Sequence, residues 1–523
     1  MRVLVIGIDG GTWRVLDPFI EEGVTPCLKQ LRDAGLHGEL TSTIPPLTAP
    51  AWSTFQTGVN PGKHGVYDFV ELDFENRSTK IVNSRSLKLK TLWEIASEAG
   101  KSVVTINVPM TYPPRQLNGA VVGGMLSPSV TPDFVSPAEI FEKVIEKVEG
   151  YRILVPRWSV KSLELPAFIA EEIAVEEKRF DVADLLADIY RPDLMMVHVQ
   201  SSDVIQHALW HYLDSSWLEY SEEAHRTVSE FYRAVDARIA RFLDKVSPDY
   251  VFLVSDHGFR SAGRQVRLNL FLKKKGLLKL TKPVISDLAE EFLRMVDRKN
   301  WMKRVAARLS GHGATRTLKR RKSDIFSTVD WARTRCFVTA SINYGTIFFN
   351  RMFEPSETEK MVREIPDELT DPRNGKRVYV RALGRDELYG PNPEGAPPDI
   401  VLEPSEGYTT AQDLSGIRMF SDFRPGTENT GVHAMDGILV AVGKRYVPGT
   451  RIKAHLMDMA PTILSLLDIS PPAQMDGHPI GATLADSRVK PQAGESSCQP
   501  SPPVYSEEEQ KEVERRLRDL GYL

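Results

Sequence analysis

The chain has 523 residues, 41% apolar and 26% charged, a composition that excludes a disordered or fibrous polypeptide and leaves room for a large core. Its formal net charge of −4 gives no overall attraction to nucleic acid or to an anionic membrane. Three scattered cysteines, Cys27, Cys336 and Cys498, are too few for a disulfide framework or a cysteine-ligated metal.

No window approaches the roughly 20 apolar residues of a membrane span. The first residues, Met1 to Gly10, show a short apolar run without a small-residue cleavage site, so they read as a core strand and the expected location is cytoplasmic. That strand, Arg2 to Ile8, ends in Asp9-Gly10-Gly11-Thr12. The dinucleotide pattern G-x-G-x-x-G is absent, and a carboxylate at a strand end suits a cation better than a pyrophosphate. Thr25 to Ala34 reads as an amphipathic helix closed by Gly35.

In Ser42 to Gly58 the prolines stop regular structure before Thr48, and Pro50 falls where a first helical turn tolerates it. Thr48 is therefore expected as the N-cap of a helix that ends near Gly58. An isolated threonine there would ordinarily be a cap and no more. A hydroxyl at a helix N-terminus also lies beside unpaired amides, which is where phosphate binds. Pro61 to Gly65 is a tight turn, and its His64 is expected as a hydrogen-bonded turn residue rather than a ligand.

Thr91 to Gly100 reads as a helix and Ser102 to Val108 as a buried strand, and residues 136–190 read as mainly helical, a cap over the sheet end. The apolar strand Leu194 to Gln200 runs into Ser201 to His207. There Asp203 and His207, four apart, would project to one side of a helical turn. His198, His211 and His225 lack such a partner and are expected to be structural or at the surface. The run Val251 to Val254 has the length of a buried parallel strand and ends in Asp256-His257-Gly258, beyond the carboxyl edge where open α/β sheets bind ligands.

Arg267 to Gly276 reads as a short helix, and residues 283–325 as a strongly basic helical insertion, expected to be solvated rather than a nucleic-acid site. Strands resume at 336–339, 345–349, 377–381 and 399–403. Residues 426–437 are expected as a flexible loop presenting His433 just before the strand Ile438 to Val442. Asp458 to Leu467 reads as a helix on the sheet. A Pro/Ser/Gln-rich linker precedes a terminal amphipathic helix, Ser506 to Leu520, docked on the body or on a neighbouring subunit.

Asp9, Asp203, Asp256, His207, His257 and His433 make three carboxylates and three imidazoles, enough for two mixed N/O sites that suit zinc and also manganese. Two ions about 4 Å apart can clamp an in-line phosphoryl displacement, and coordination can ionise the otherwise weak nucleophile Thr48.

The order Asp9, Thr48, Asp203-x-x-x-His207, Asp256-His257, His433 resembles the alkaline phosphatase superfamily, and most of all its type I phosphodiesterase/nucleotide pyrophosphatase branch. Thr48-x-Pro50 followed by Thr57-Gly58, Pro61 and His64-Gly65 matches the nucleophile segment of that branch, and Gly431-x-His433 its late metal ligand. The resemblance runs to about residue 480, with 283–325 outside it. It implies an α/β fold with a mostly parallel central sheet flanked by helices and an inserted helical cap. It also implies one metal on Asp203, His207 and His433, and another on Asp9, Asp256, His257 and the Thr48 oxygen. The implied activity is phosphohydrolysis of a small phosphate ester, as a phosphodiesterase acting through phospho-threonine. The position after Pro50, where nucleotide-cleaving members carry an asparagine that holds a phosphate oxygen, is Ala51. Trp52 is expected as an apolar wall for the second ester substituent.

A sulfatase would need a cysteine or serine at Thr48 and an arginine at Trp52. A phosphomutase or phosphomonoesterase of the superfamily is the alternative, and a non-catalytic metal-stabilised binding protein the distant one. The expected division is core at 1–135, 191–282 and 326–486, cap at 136–190, basic insertion at 283–325, linker at 487–505 and terminal helix at 506–523. Self-association is left open.

Overall fold

The computed structural model describes all residues except 156–163, 282–324, 340–342, 412–413, 415–417, 424–428, 482–503 and 523. The expected basic insertion and linker therefore lie almost entirely outside the described residues, as does Cys498.

Among the described residues, nine strands form the central sheet: β1 (Val3–Ile8), β2 (Leu36–Thr41), β3 (Val103–Val108), β4 (Gly119–Gly123), β5 (Val135–Ser136), β6 (Leu194–Val199), β7 (Tyr250–Val254), β8 (Asp436–Val442) and β9 (Arg451–His455). Their order is β9-β2-β8-β7-β1-β6-β3-β4-β5. Every residue of β1, β3, β6 and β7 is buried, as continuous Val/Ile/Leu-rich runs must be when helices cover both faces. The pairs β1–β6, β1–β7, β3–β6, β3–β4 and β2–β9 are parallel, while β8 and β5 run antiparallel to their neighbours. Val3 is in register with both Leu194 and Tyr250. The carboxyl ends of β7, β1 and β6 thus come out side by side, and that edge is where the chemistry-bearing turns gather.

The flanking helices include α1 (Thr48–Thr57), α2 (Leu165–Tyr190), α3 (Ser201–Leu213), α4 (Glu222–Val246) and α5 (Glu507–Leu520). Helix α2 falls in the stretch expected to cap the sheet end. It lies instead along the sheet's flank, touching α4, β3 and β6, because Ile169, Phe180, Ala183 and Ala187 fall on one face at helical spacing and enter the main core. The strands at 336–338, 345–349, 379–384 and 400–404 form a second, antiparallel sheet with its own apolar cluster around Phe337, Ile347 and Leu402. Helix α5 docks on the body of its own chain, with Val513, Leu517 and Leu520 in the main core. Cys27 and Cys336 are unpaired thiols, and no described helix is long and apolar enough to cross a membrane.

Candidate active site

Asp9 follows directly on β1, Asp256 and His257 follow β7 after one intervening residue, and Asp203 lies in the first turn of α3 just beyond β6. His207 sits one turn further along α3, on the same side as Asp203. Gly10 makes the turn after Asp9 with φ +67°, and a Cβ there would fall 2.4 Å from the Phe259 ring. The freed amide of Gly10 donates to Asp256 Oδ1 at 3.2 Å, which ties two neighbouring strand ends together. His433, expected on a flexible loop, lies instead on the strand Gly431–Ala434, paired antiparallel with Gly258–Ser261 so that His433 stands opposite Phe259. The glycine-bounded polar stretch concealed a pairing made by a partner nearly 175 residues away in sequence, about which local pattern carries no signal.

The structure brings all seven candidates together, each of them buried. Asp203, His207 and His433 form one group that could hold a metal ion, and Asp9, Asp256 and His257 a second. In the first, Asp203 Oδ1 lies 3.4 Å from His207 Nε2 and 3.3 Å from His433 Nε2. In the second, His257 Nε2 lies 3.2 Å from Asp256 Oδ2 and 3.6 Å from Asp9 Oδ1. Each imidazole donates Nδ1–H to a backbone carbonyl: His207 to Gly431 at 3.0 Å, His433 to Pro46 at 2.8 Å and His257 to Gly258 at 3.1 Å. With Nδ1 so used, the tautomer assigned by these bonds leaves three Nε2 lone pairs turned inward. Asp9 Oδ1, Asp203 Oδ1 and Asp256 Oδ2 are buried without any hydrogen-bond partner. Buried orphan carboxylate oxygens are costly unless a cation meets them. The donor set fits two divalent ions.

The electrostatics agree. Burial, and after it the charges of Asp256 and Asp203, pushes the Asp9 carboxyl well above the usual carboxylate range; Asp256 is raised chiefly by burial as well. Burial also pushes Asp203 up, but the imidazoles of His207, His433 and His257 outweigh it and leave that carboxyl lowered. Burial holds His257 well below its ordinary value, reinforced by His433. No described lysine or arginine bonds to Asp9, Thr48, Asp203 or Asp256.

Thr48 is the first residue of α1, with Leu47 rather than Thr48 in the capping position. Its side chain is therefore not spent on the helix's own amides and is free to face the site. Thr48 Oγ1 lies 3.4 Å from His257 Nε2 and 3.4 Å from the Tyr522 hydroxyl. Trp52 is fully buried, set edge-on against Phe55 and His198, and its indole N–H points to Asp9 Oδ2 at 3.4 Å. It is a support for Asp9, not a wall open to a substituent.

Three residues of the site escaped the sequence. His198, expected to be structural, places Nε2 3.0 Å from Asp9 Oδ2 and so orients that carboxylate; an apolar strand hides which of its side chains faces a neighbouring strand's end. Asn429 Nδ2 stands 3.3 Å from His207 Nδ1. Tyr522, at the far end of the chain, donates its hydroxyl to Asp203 Oδ2 at 2.9 Å. Burial, then the charges of Asp203 and Asp9, raises the Tyr522 phenol well above its ordinary value and keeps it a donor. His64 is the turn residue it was expected to be. Its Nδ1 accepts from the Val66 amide at 3.1 Å, and its Nε2 lies 3.0 Å from Thr54 Oγ1.

The sequence model of the family described as "Type I phosphodiesterase / nucleotide pyrophosphatase" matches residues 3–419. The chain belongs to that family. It is thus a type I phosphodiesterase/nucleotide pyrophosphatase family member and a hydrolase acting on phosphoric ester bonds. The match ends before His433 and helix α5, whose places come from the structure alone. Among solved structures the fold is similar to that of phosphonoacetate hydrolase from Sinorhizobium meliloti 1021 in complex with phosphonoformate, at 16% identity and a TM-score of 0.52, over 89% of this chain and 96% of that one. Human ectonucleotide pyrophosphatase/phosphodiesterase 5 aligns over 91% of this chain and 97% of its own, at 13% identity and a TM-score of 0.49. For this family member the alkaline-phosphatase-like α/β fold, a mostly parallel sheet flanked by helices, stands as read from the sequence.

Proposed function

We propose that this protein is a phosphodiesterase acting on a small phosphate ester, with Thr48 as covalent nucleophile and two divalent ions, zinc or alternatively manganese, in the two ligand groups. The observation that carries this reading is the position of Thr48 Oγ1. It stands 3.4 Å from His257 of one group, and through the Tyr522 hydroxyl it is two hydrogen bonds from Asp203 of the other.

Ions bound there would favour the ionised hydroxyl and neutralise charge that builds on the phosphoryl and leaving oxygens. Asp203, His207 and His433 would hold one, and Asp9, Asp256 and His257, with the Thr48 oxygen, the other. Thr48 Oγ forms the bond to phosphorus as its proton passes to solvent water, and the ester oxygen departs with the electron pair of the broken P–O bond and takes up a proton from solvent. Water then displaces Thr48 from phosphorus and restores the hydroxyl. The first-turn amides of α1 lack intrahelical acceptors and offer hydrogen bonds to the phosphoryl oxygens. His198 and Trp52 hold Asp9 in place through its Oδ2, which leaves Oδ1 for the ion.

Thr48→Ala tests the reading. Turnover of a chromogenic diester should fall by at least about 10³-fold in kcat with metal content unchanged. Acid-quenched wild-type enzyme should carry a phosphoryl group on Thr48 by mass spectrometry. A variant with near-full turnover would mean that water attacks phosphorus directly.

A further inference from the structure

The segment that follows helix α5 reaches the site at Tyr522. Helix α5 is anchored beside it by Arg516, whose guanidinium donates to the carbonyls of Met125, Ser127 and Pro128. Just upstream, Tyr505 stacks on Tyr112 at 5.7 Å and donates its hydroxyl to the Leu126 carbonyl at 3.1 Å. Gly521 closes the helix at φ +92°, and the Tyr522 amide bonds back to the Leu517 carbonyl at 2.8 Å. A left-handed closure of this kind reverses the chain, and glycine adopts it without the strain a Cβ would bring. Tyr522 is thereby turned inward until it is 1% exposed, with its ring 4.5 Å from Phe69.

Packing alone does not account for a tyrosine here. A phenylalanine would fill the same space against Phe69 and would spare the cost of burying a hydroxyl. The oxygen is what distinguishes the two, and it lies 2.9 Å from Asp203 Oδ2 and 3.4 Å from Thr48 Oγ1. Beyond the first-turn amides of α1, neutral side-chain donors close to Thr48 are few among the described residues. Residues 49–51 are Ala, Pro and Ala, and the Trp52 indole is directed at Asp9. Negative charge that develops on a phosphoryl group next to Thr48 calls for donors fixed in advance.

We propose that Tyr522 is a catalytic residue carried into the site by the C-terminal helix, and that its O–H donates a hydrogen bond to a non-bridging oxygen of the phosphoryl group under attack by Thr48. The proposal rests on the reading of Thr48 as nucleophile. Before substrate binds, the same O–H is held by Asp203; with substrate present it turns from that carboxylate to the phosphoryl oxygen, and the proton stays on the phenol throughout.

The test is Tyr522→Phe in the full-length, metal-loaded enzyme, which removes one oxygen and keeps the ring against Phe69. Three quantities are compared with wild type: kcat and KM on a chromogenic diester, orthovanadate affinity by calorimetry, and metal content with melting temperature. The expected result is a fall of about 10²-fold in kcat, little change in KM, and vanadate binding weaker by about tenfold, at unaltered metal content and melting temperature. A chain ending at Leu520 should show the same losses. Unchanged kcat and vanadate affinity in Tyr522→Phe would reduce Tyr522 to a packing residue and overturn the proposal. Faster turnover would overturn it too, since the hydroxyl would then be an obstruction to substrate. If wild-type enzyme cleaves esters but Thr48→Ala does so equally well, the underlying reading fails instead, whatever Tyr522→Phe does.

Discussion

The Nε2 atoms of His207 and His433 stand 2.9 Å apart, although the Nδ1 of each is committed to a backbone carbonyl, Gly431 for one and Pro46 for the other. Two imidazole lone pairs turned toward each other, with the orphan Oδ1 of Asp203 beside them, make an arrangement that only a positive charge between them renders favourable. Purified protein should accordingly contain close to two equivalents of zinc or manganese. Removing them with a strong chelator should abolish activity and lower the melting temperature, and either metal should restore both. His433→Ala should lose one equivalent by elemental analysis. Metal-free protein as active as the starting preparation would contradict the assignment.

Much of this was legible in the chain. The buried strands announced themselves as continuous apolar runs, and the residues that end them, Asp9 and Asp256-His257, could be read as a group because strand ends in a parallel sheet share one edge. Asp203 and His207 were legible for a different reason, the side that i and i+4 share on a helix. What stayed hidden depends on contacts across the fold. Whether Trp52 faces a substrate or supports Asp9 is decided by the packing of α1 on the sheet, and no periodicity distinguishes the two. Tyr522 was harder still. An aromatic residue after a closing glycine is common as a hydrophobic contact at a helix end, and nothing in Gly521-Tyr522 shows that this end lies against Asp203 and not against solvent.

His198 provides a test of the layer behind the ligands. Its Nε2 bonds to Asp9 Oδ2 at 3.0 Å, and its other nitrogen lies 3.4 Å from the Asn107 amide. Partners of this kind are worth about 10–100-fold in metal affinity. His198→Ala should weaken binding of one metal equivalent by that amount and leave the other unaffected, as measured by competition with a chromogenic chelator. Equal loss at both equivalents would show a general disturbance of the sheet rather than a role at Asp9.

His64 carries a stability signature that is independent of catalysis. Burial holds its imidazole down at about 3, against an ordinary value near 6.5 for the unfolded chain. Between those values the unfolded state binds a proton that the folded state does not, so stability rises with pH across the window. The contribution is complete above about pH 6.5 and is eroded as pH falls toward 3. At pH 5 the loss amounts to about 2 kcal/mol. Denaturant titrations at pH 5 and pH 7.5 should show a smaller acid penalty for His64→Asn than for wild type. An equal penalty in both would mean that His64 does not contribute it.

The substrate's charge should be selected by what surrounds Thr48. A phosphate diester carries one negative charge fewer on the transferred group than a monoester, and holding the dianion calls for cationic groups in addition to the two metals. Among the described residues no lysine or arginine bonds to Thr48 or to the carboxylates around it. The polar groups that reach the Thr48 oxygen are the His257 imidazole, kept neutral by burial, and the neutral Tyr522 phenol. Asp203 and Asp9, whose charges the metals must already offset, lie on the other side of those contacts and would repel an added charge. A bis-aryl phosphate should therefore be cleaved with a kcat/KM about tenfold or more above that of the matching aryl monophosphate, equivalent to about 1.4 kcal/mol in the barrier. The comparison is made at saturating metal with one leaving group, so that only the charge and the second substituent differ. A preference for the monoester would place extra cations at the phosphoryl group, and the basic stretch 283–325 would be the first place to seek them, by neutralising its arginines and asking whether monoester turnover falls.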